Sequence, residues 1–188
     1  NMALFIGADV FNVMVGTLES IKPFIRIMEV GLLFILLIHI INALQLTWSN
    51  KKASFGKDVL VNNNSTLNSR TMALSGTVIL VFFIIHLRYI WYTYQQHLFI
   101  SPSETYYDVI LRNQWGYLGH TPTALFYIFA IILIGAHLKH GFQSALKTFG
   151  LTANSRWYVL YHLSFLFWAI IPGMFIVIIV SIQIGWIN

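Results

Sequence analysis

The sequence predicts an all-α integral membrane protein, a bundle of transmembrane helices, and three observations carry that expectation. Of 188 residues, 57% are hydrophobic and 9% charged, and the mean hydropathy is +0.72. A soluble domain needs more polar surface than that. Four apolar stretches each approach the roughly 20 residues that a helix needs to cross a hydrocarbon core about 30 Å thick. The stretches are unbroken, without the alternating ten-residue pattern of an outer-membrane barrel, so helices are expected.

A single membrane domain over residues 1–188 is expected, and its spans follow in order. They run about Pro23–Trp48, Arg70–His97, Thr121–Lys147 and Trp157–Ile184. Residues 1–22, with Asp9 and Glu19, read as a short polar lead-in able to hold an interfacial helix. Pro23 and Pro122 fall near helix starts, where a missing N–H costs little. Pro172-Gly173 lies inside the last span and predicts a kink. Lys51, Lys52 and Lys57 lie between the first two spans, and Lys139, Lys147 and Arg156 lie where the last two join. The long connection Leu98–His120 has Arg112 as its lone basic residue. The positive-inside rule therefore places the Lys-rich loops in the cytoplasm and Leu98–His120 outside. Trp48 and Trp157 then mark the inner belt, and Trp91, Trp115 and Trp186 the outer one. The formal charge of +5 gathers at span ends and is no sign of nucleic-acid binding. Cysteine is absent, which excludes disulfides, iron–sulfur ligation and covalent haem attachment.

Three histidines stand inside these spans: His39, His86 and His137. An ionisable ring at such depth marks a functional site by default, and histidines within a helical bundle are natural axial ligands for haem iron. Counted along the helices at 1.5 Å per residue, His39 and His137 both lie roughly 24 Å below the outer edge. They share a depth and could face one haem from two sides. His86 lies roughly 10 to 15 Å nearer the outer side, a sensible offset for a second stacked haem. The alternative for each is a histidine that hydrogen-bonds between helices. A zinc site is disfavoured, because no H-E-x-x-H pattern or cysteine set exists.

The segments around these histidines carry a family resemblance. HLKHGFQSALKTFGLT (His137–Thr152), SRTMALSGTVILVFFIIHL (Ser69–Leu87) and LLIHIINAL (Leu36–Leu44) resemble the single-chain, di-haem cytochrome b subunit of succinate dehydrogenase/fumarate reductase. The bacterial, menaquinone-linked, five-helix type is the most similar, and with NMALFIGADVFN the likeness covers nearly the whole chain. It implies that His39 and His137 ligate the haem b proximal to a cytoplasmic iron–sulfur subunit. It implies a second haem b on His86, whose partner ligand belongs to a first helix lying before Asn1. Four spans in this chain thus become five once that helix is restored. The resemblance also implies a flavoprotein partner for the dicarboxylate chemistry, and the bacterial cytoplasmic membrane as location.

Other polar residues have two readings each. Glu29, with Arg26 on the same helix face, is an interfacial ion pair or the carboxylate that accepts a proton as menaquinol is oxidised. Arg88 snorkels to headgroups or meets a haem propionate. Ser69, Arg70, Lys139 and His140 gather where propionates of the proximal haem would lie, with solvated loop charge the plainer role for Lys139. His162 reads as a hydrogen-bonding residue, and His97 and His120 as solvated. Gly135 and Gly141 bracket His137 and allow close approach of a helix or a haem plane. Two rival functions stand beside this one. One is the cytochrome b anchor of a hydrogenase, formate dehydrogenase or nitrate reductase. The other is a haem-free transporter using intramembrane His and Glu29 as a proton relay. Against the latter, the sequence has no repeated half and no matching pair of broken helices.

Overall fold

The computed structural model describes residues 2–54, 67–100, 103–151 and 156–188, and among them there is no strand. A 3-10 turn (Met2–Phe5) precedes α1 (Ala8–Ser20) and α2 (Lys22–Ser54). Then come α3 (Leu67–His86), a π turn (Leu87–Trp91), α4 (Tyr92–Ile100) and α5 (Tyr106–Leu111). The chain continues with α6 (Thr121–Thr148), α7 (Arg156–Phe165), a second π turn (Leu166–Ile170) and α8 (Ile171–Gln183). Among the described residues four stretches are long and apolar enough to cross a membrane: Lys22–Ser49, Thr71–Gln96, Thr121–Thr148 and Val159–Gln183. Each lies within about two residues of its predicted place. The surface agrees with their composition. Ile27 is 72% exposed, Trp48 70% and Leu74 68%, a surface that lipid rather than water must cover. The chain is an all-α, multi-pass membrane protein.

It divides into two compact units, Gly16–Leu74 and a second formed by Ser75–Asn188 with the residues up to Val15. The first unit is dominated by α2. Ion pairs of i,i+3 spacing bracket its start, Lys22 Nζ to Glu19 Oε1 at 2.9 Å and Arg26 Nη1 to Glu29 Oε2 at 2.8 Å.

In the second unit α6 and α7–α8 run antiparallel and pack tightly. The reason lies in three residues. Pro172 sits in the first turn of α8 and has no N–H to give the carbonyl of Trp168, its α-helical acceptor. The helix adjusts by one π turn just before it, where Ile171 N–H reaches back to Leu166 O. The predicted break at Pro172-Gly173 therefore takes the form of a wide turn preceding the proline. Opposite stands Gly135, where an added Cβ would lie 2.7 Å from the Trp168 carbonyl oxygen. Only glycine permits that approach. Below it Ala124, Tyr127, Ala130 and Ile131 of α6 close a core with Phe82 of α3 and Ile179 of α8.

The connection predicted as a long loop is built as a cap. Thr105 and Asp108 form a reciprocal capping box at the start of α5: Thr105 Oγ1 accepts from Asp108 N, and Asp108 Oδ2 accepts from Thr105 N at 2.8 Å. Tyr107 and Ile110 of α5 enter a second core with Ala3, Leu4 and Phe11 from the start of the chain and Ile178, Ile182 and Ile187 from its end. Asn12 Oδ1 accepts from Tyr107 N at 3.1 Å, and Gln183 Nε2 donates to Leu118 O at 2.7 Å. Arg112 grips Glu104 with Nε at 3.0 Å and again through Nη2 to Oε2, while Nη1 donates to Tyr117 Oη at 3.0 Å. Those carboxylate bonds raise the Arg112 pKa above its ordinary value. Tyr117 Oη in turn lies 3.1 Å from buried Thr93 Oγ1.

Gly116 closes the turn with a positive φ of 95°, and a Cβ there would fall on the ring of Tyr89. Strain and overlap together predict that Gly116→Ala destabilises the protein by about 2 kcal/mol or more. Thermal unfolding in detergent measures it, with Gly141→Ala as control, since nothing lies within 4 Å of a Cβ built there.

Candidate functional site

His137 sits on α6, two residues past the Gly135 crossing. Its Nδ1 lies 3.3 Å from Ser75 Oγ of α3. The α3 backbone runs close beside the ring, since a Cβ on Gly76 would meet His137 Cε1 at 3.7 Å, an ordinary contact. A hydroxyl on one imidazole nitrogen sets ring orientation and tautomer, and thereby the character of the other nitrogen.

His86 ends α3, immediately before the π turn. Its ring stacks on Phe82 at 5.6 Å and 24°, with Tyr127 of α6 at 6.1 Å. Phe82 and Tyr127 themselves meet edge to face at 4.9 Å. Within this aromatic cluster His86 Nδ1 and Tyr127 Oη are both buried, and neither has a hydrogen-bond partner among the described residues. An unmet polar atom in such a place costs about 1–3 kcal/mol. The indole Nε1 of Trp168 is in the same condition.

The remaining predicted residues are placed as follows. His39 lies at an exposed position of α2, in the other unit from His86 and His137. Glu29 is held by Arg26 in the ion pair already described. Arg88 lies in the π turn with its guanidinium carbon 5.5 Å from the Tyr89 ring centre and 5.2 Å from that of Tyr92. The side chains of Ser69 and Arg70, on α3, lie outside the described residues, as does that of His97. Lys139 stands over the Trp168 ring, its Nζ 4.7 Å from the centre. His120 Nδ1 meets Thr123 Oγ1 at 3.0 Å, and His162 packs edge to face with Tyr161 at 5.9 Å. Among the described residues no group of three or more His, Asp or Glu side chains stands close enough to hold a bare metal ion.

Ser75, Tyr127 and Trp168 escaped the sequence reading. The depth count that paired the histidines does not single out Ser75, which lies nearer the inner end of its span than His137 does of its own. No signal marks Tyr127 or Trp168 either, since aromatic residues fill every span. No family model, curated protein or solved structure matches this chain.

Removal of the hydroxyl in Ser75→Ala is expected to lower stability by about 1 kcal/mol, the scale of a hydrogen bond between membrane helices. Ser75→Thr should retain most of it. Unfolding of both variants in mixed micelles provides the comparison.

Proposed function

We propose that this chain is the haem b-binding membrane anchor of a succinate dehydrogenase/fumarate reductase, passing electrons between menaquinone and a cytoplasmic iron–sulfur subunit. The observation that carries the reading is His86. Its Nδ1 is buried within a membrane span and meets no partner among the described residues. A polar ring kept there at such expense needs an occupant to justify it. The donor chemistry of the spans fits a haem: imidazoles on separate helices, apolar and aromatic walls, and no thiol. Ser75 beside His137 Nδ1 supports the same assignment, because a hydroxyl that accepts from Nδ1–H leaves the Nε2 lone pair free for iron.

His39 and His137 would hold the first haem, as the motif likeness implies. His86 would hold a second, with its partner supplied from outside this chain. Bound haem supplies one-electron transfer. The chain's own residues orient the ligands, exclude water through the Phe82–Tyr127 wall, and set the basicity of His137 through Ser75. Glu29, tethered to Arg26, is the proposed proton acceptor for menaquinol. A flavoprotein and an iron–sulfur subunit complete the enzyme, in the cytoplasmic membrane of a bacterium.

A reduced-minus-oxidised spectrum with a pyridine-haemochrome count on the purified complex tests the reading. A b-type signal is expected, with one haem lost in His137→Ala and in His39→Ala, and a different one lost in His86→Ala. A complex without haem would sink the electron-transfer reading and favour the proton-relay transporter.

A further inference from the structure

Beside the Gly135 crossing, α6 and α7–α8 leave a cleft of 340 Å³. Its two walls have the same spacing. Ile131, Ile132, Gly135, Ala136 and Lys139 line one side; Trp168, Ala169, Pro172, Gly173 and Ile176 line the other. Small residues therefore form the floor along the whole crossing, and bulk returns at the two ends. One end is aliphatic and the other is Lys139 with Trp168.

Three features decide what fits there. The cleft opens on a face of α6 that already presents Leu125, Phe129 and Ile132 to the surroundings, so its occupant comes from the hydrocarbon phase. From Ile131 to Lys139 is eight residues, about 12 Å along the helix, close to the depth of one leaflet of a bilayer about 30 Å thick. Lys139 does not trail freely; its ammonium is held 4.7 Å from the Trp168 ring centre, fixing one positive charge at the mouth. The Trp168 indole N–H, buried without an acceptor among the described residues, belongs to the same ring that Lys139 covers.

From these we infer that the α6/α7–α8 cleft is a binding site for one anionic phospholipid. Its phosphate pairs with Lys139 and one acyl chain lies along Gly135, Ala136, Ala169 and Gly173 toward Ile131 and Ile176. A zwitterionic lipid fills the groove equally well but brings its own cation to a mouth that already has one.

The test reconstitutes the full chain into phosphatidylcholine vesicles containing graded phosphatidylglycerol brominated on its acyl chains, and reads tryptophan quenching. The chain has six Trp, so the share belonging to Trp168 is taken as the difference from Trp168→Phe. That share should respond to brominated phosphatidylglycerol with about fivefold preference over brominated phosphatidylcholine, the worth of one cation near a headgroup. Lys139→Gln should abolish the preference and leave quenching, Lys139→Arg should restore it, and Ala169→Leu should remove the quenching by filling the groove. Equal quenching by both lipids, unchanged in Lys139→Gln, would overturn the proposal in favour of ordinary annular lipid. No quenching of Trp168 by either lipid would overturn it in favour of a protein segment seated on the cleft.

Discussion

The second unit depends on one close contact, the Trp168 carbonyl against Gly135. In a membrane interior no water is present to satisfy a released carbonyl, so a proline in a span sets a problem that neighbouring helices must absorb. Here the helix before Pro172 widens by a π turn, and α6 comes in at the position that has no side chain. Between membrane helices there is little hydrophobic drive, and dispersion over close surfaces does most of the work. Approach at Gly135 brings Ala130 and Ile131 of α6 within packing range of Ile179 of α8. The same approach fixes the height of His137, two residues on, relative to its surroundings.

His86 and His137 draw their environment from α3 and α6, and the two environments differ. His137 meets a hydroxyl, whereas His86 is enclosed by rings. Identical side chains on packed helices thus acquire different chemistry from what stands one turn away. A hydroxyl partner restricts the ring's rotation; aromatic faces exclude water and leave the ring's polarity uncompensated. Where two sites must differ in electron affinity, such neighbours are the means a protein has.

The spans were legible because hydropathy over some twenty residues is a strong signal and membrane insertion leaves few alternatives to a helix. The break near Pro172 was legible as a position, though its form was not, since a proline can be accommodated by a kink or by a π turn and the choice belongs to the neighbouring helix. The cap was hidden. Leu98–His120 has the composition of a loop, and its order comes from Arg112, Glu104 and Tyr117, a set that has no periodicity to reveal it. At the candidate site the histidines stood out as polar residues in apolar runs. Ser75 did not, because serine is common near span ends, and Trp168 is one aromatic among many.

Each π turn is also a record of length. A helix that contains one holds a single residue more than its α-helical ladder accommodates, and every side chain beyond it is rotated by about 100° relative to an uninterrupted helix. The turn at Leu87–Trp91 separates His86 from Thr93, and that at Leu166–Ile170 holds Trp168 of the crossing and separates α7 from α8. Loss of one residue within either turn would leave a continuous α-helix, still without the hydrogen bond that Pro172 cannot make in the second case, yet it would swing Thr93 away from Tyr117, or Ile179 away from α6. At these two places, unlike elsewhere in the spans, residue number rather than residue type governs which faces meet.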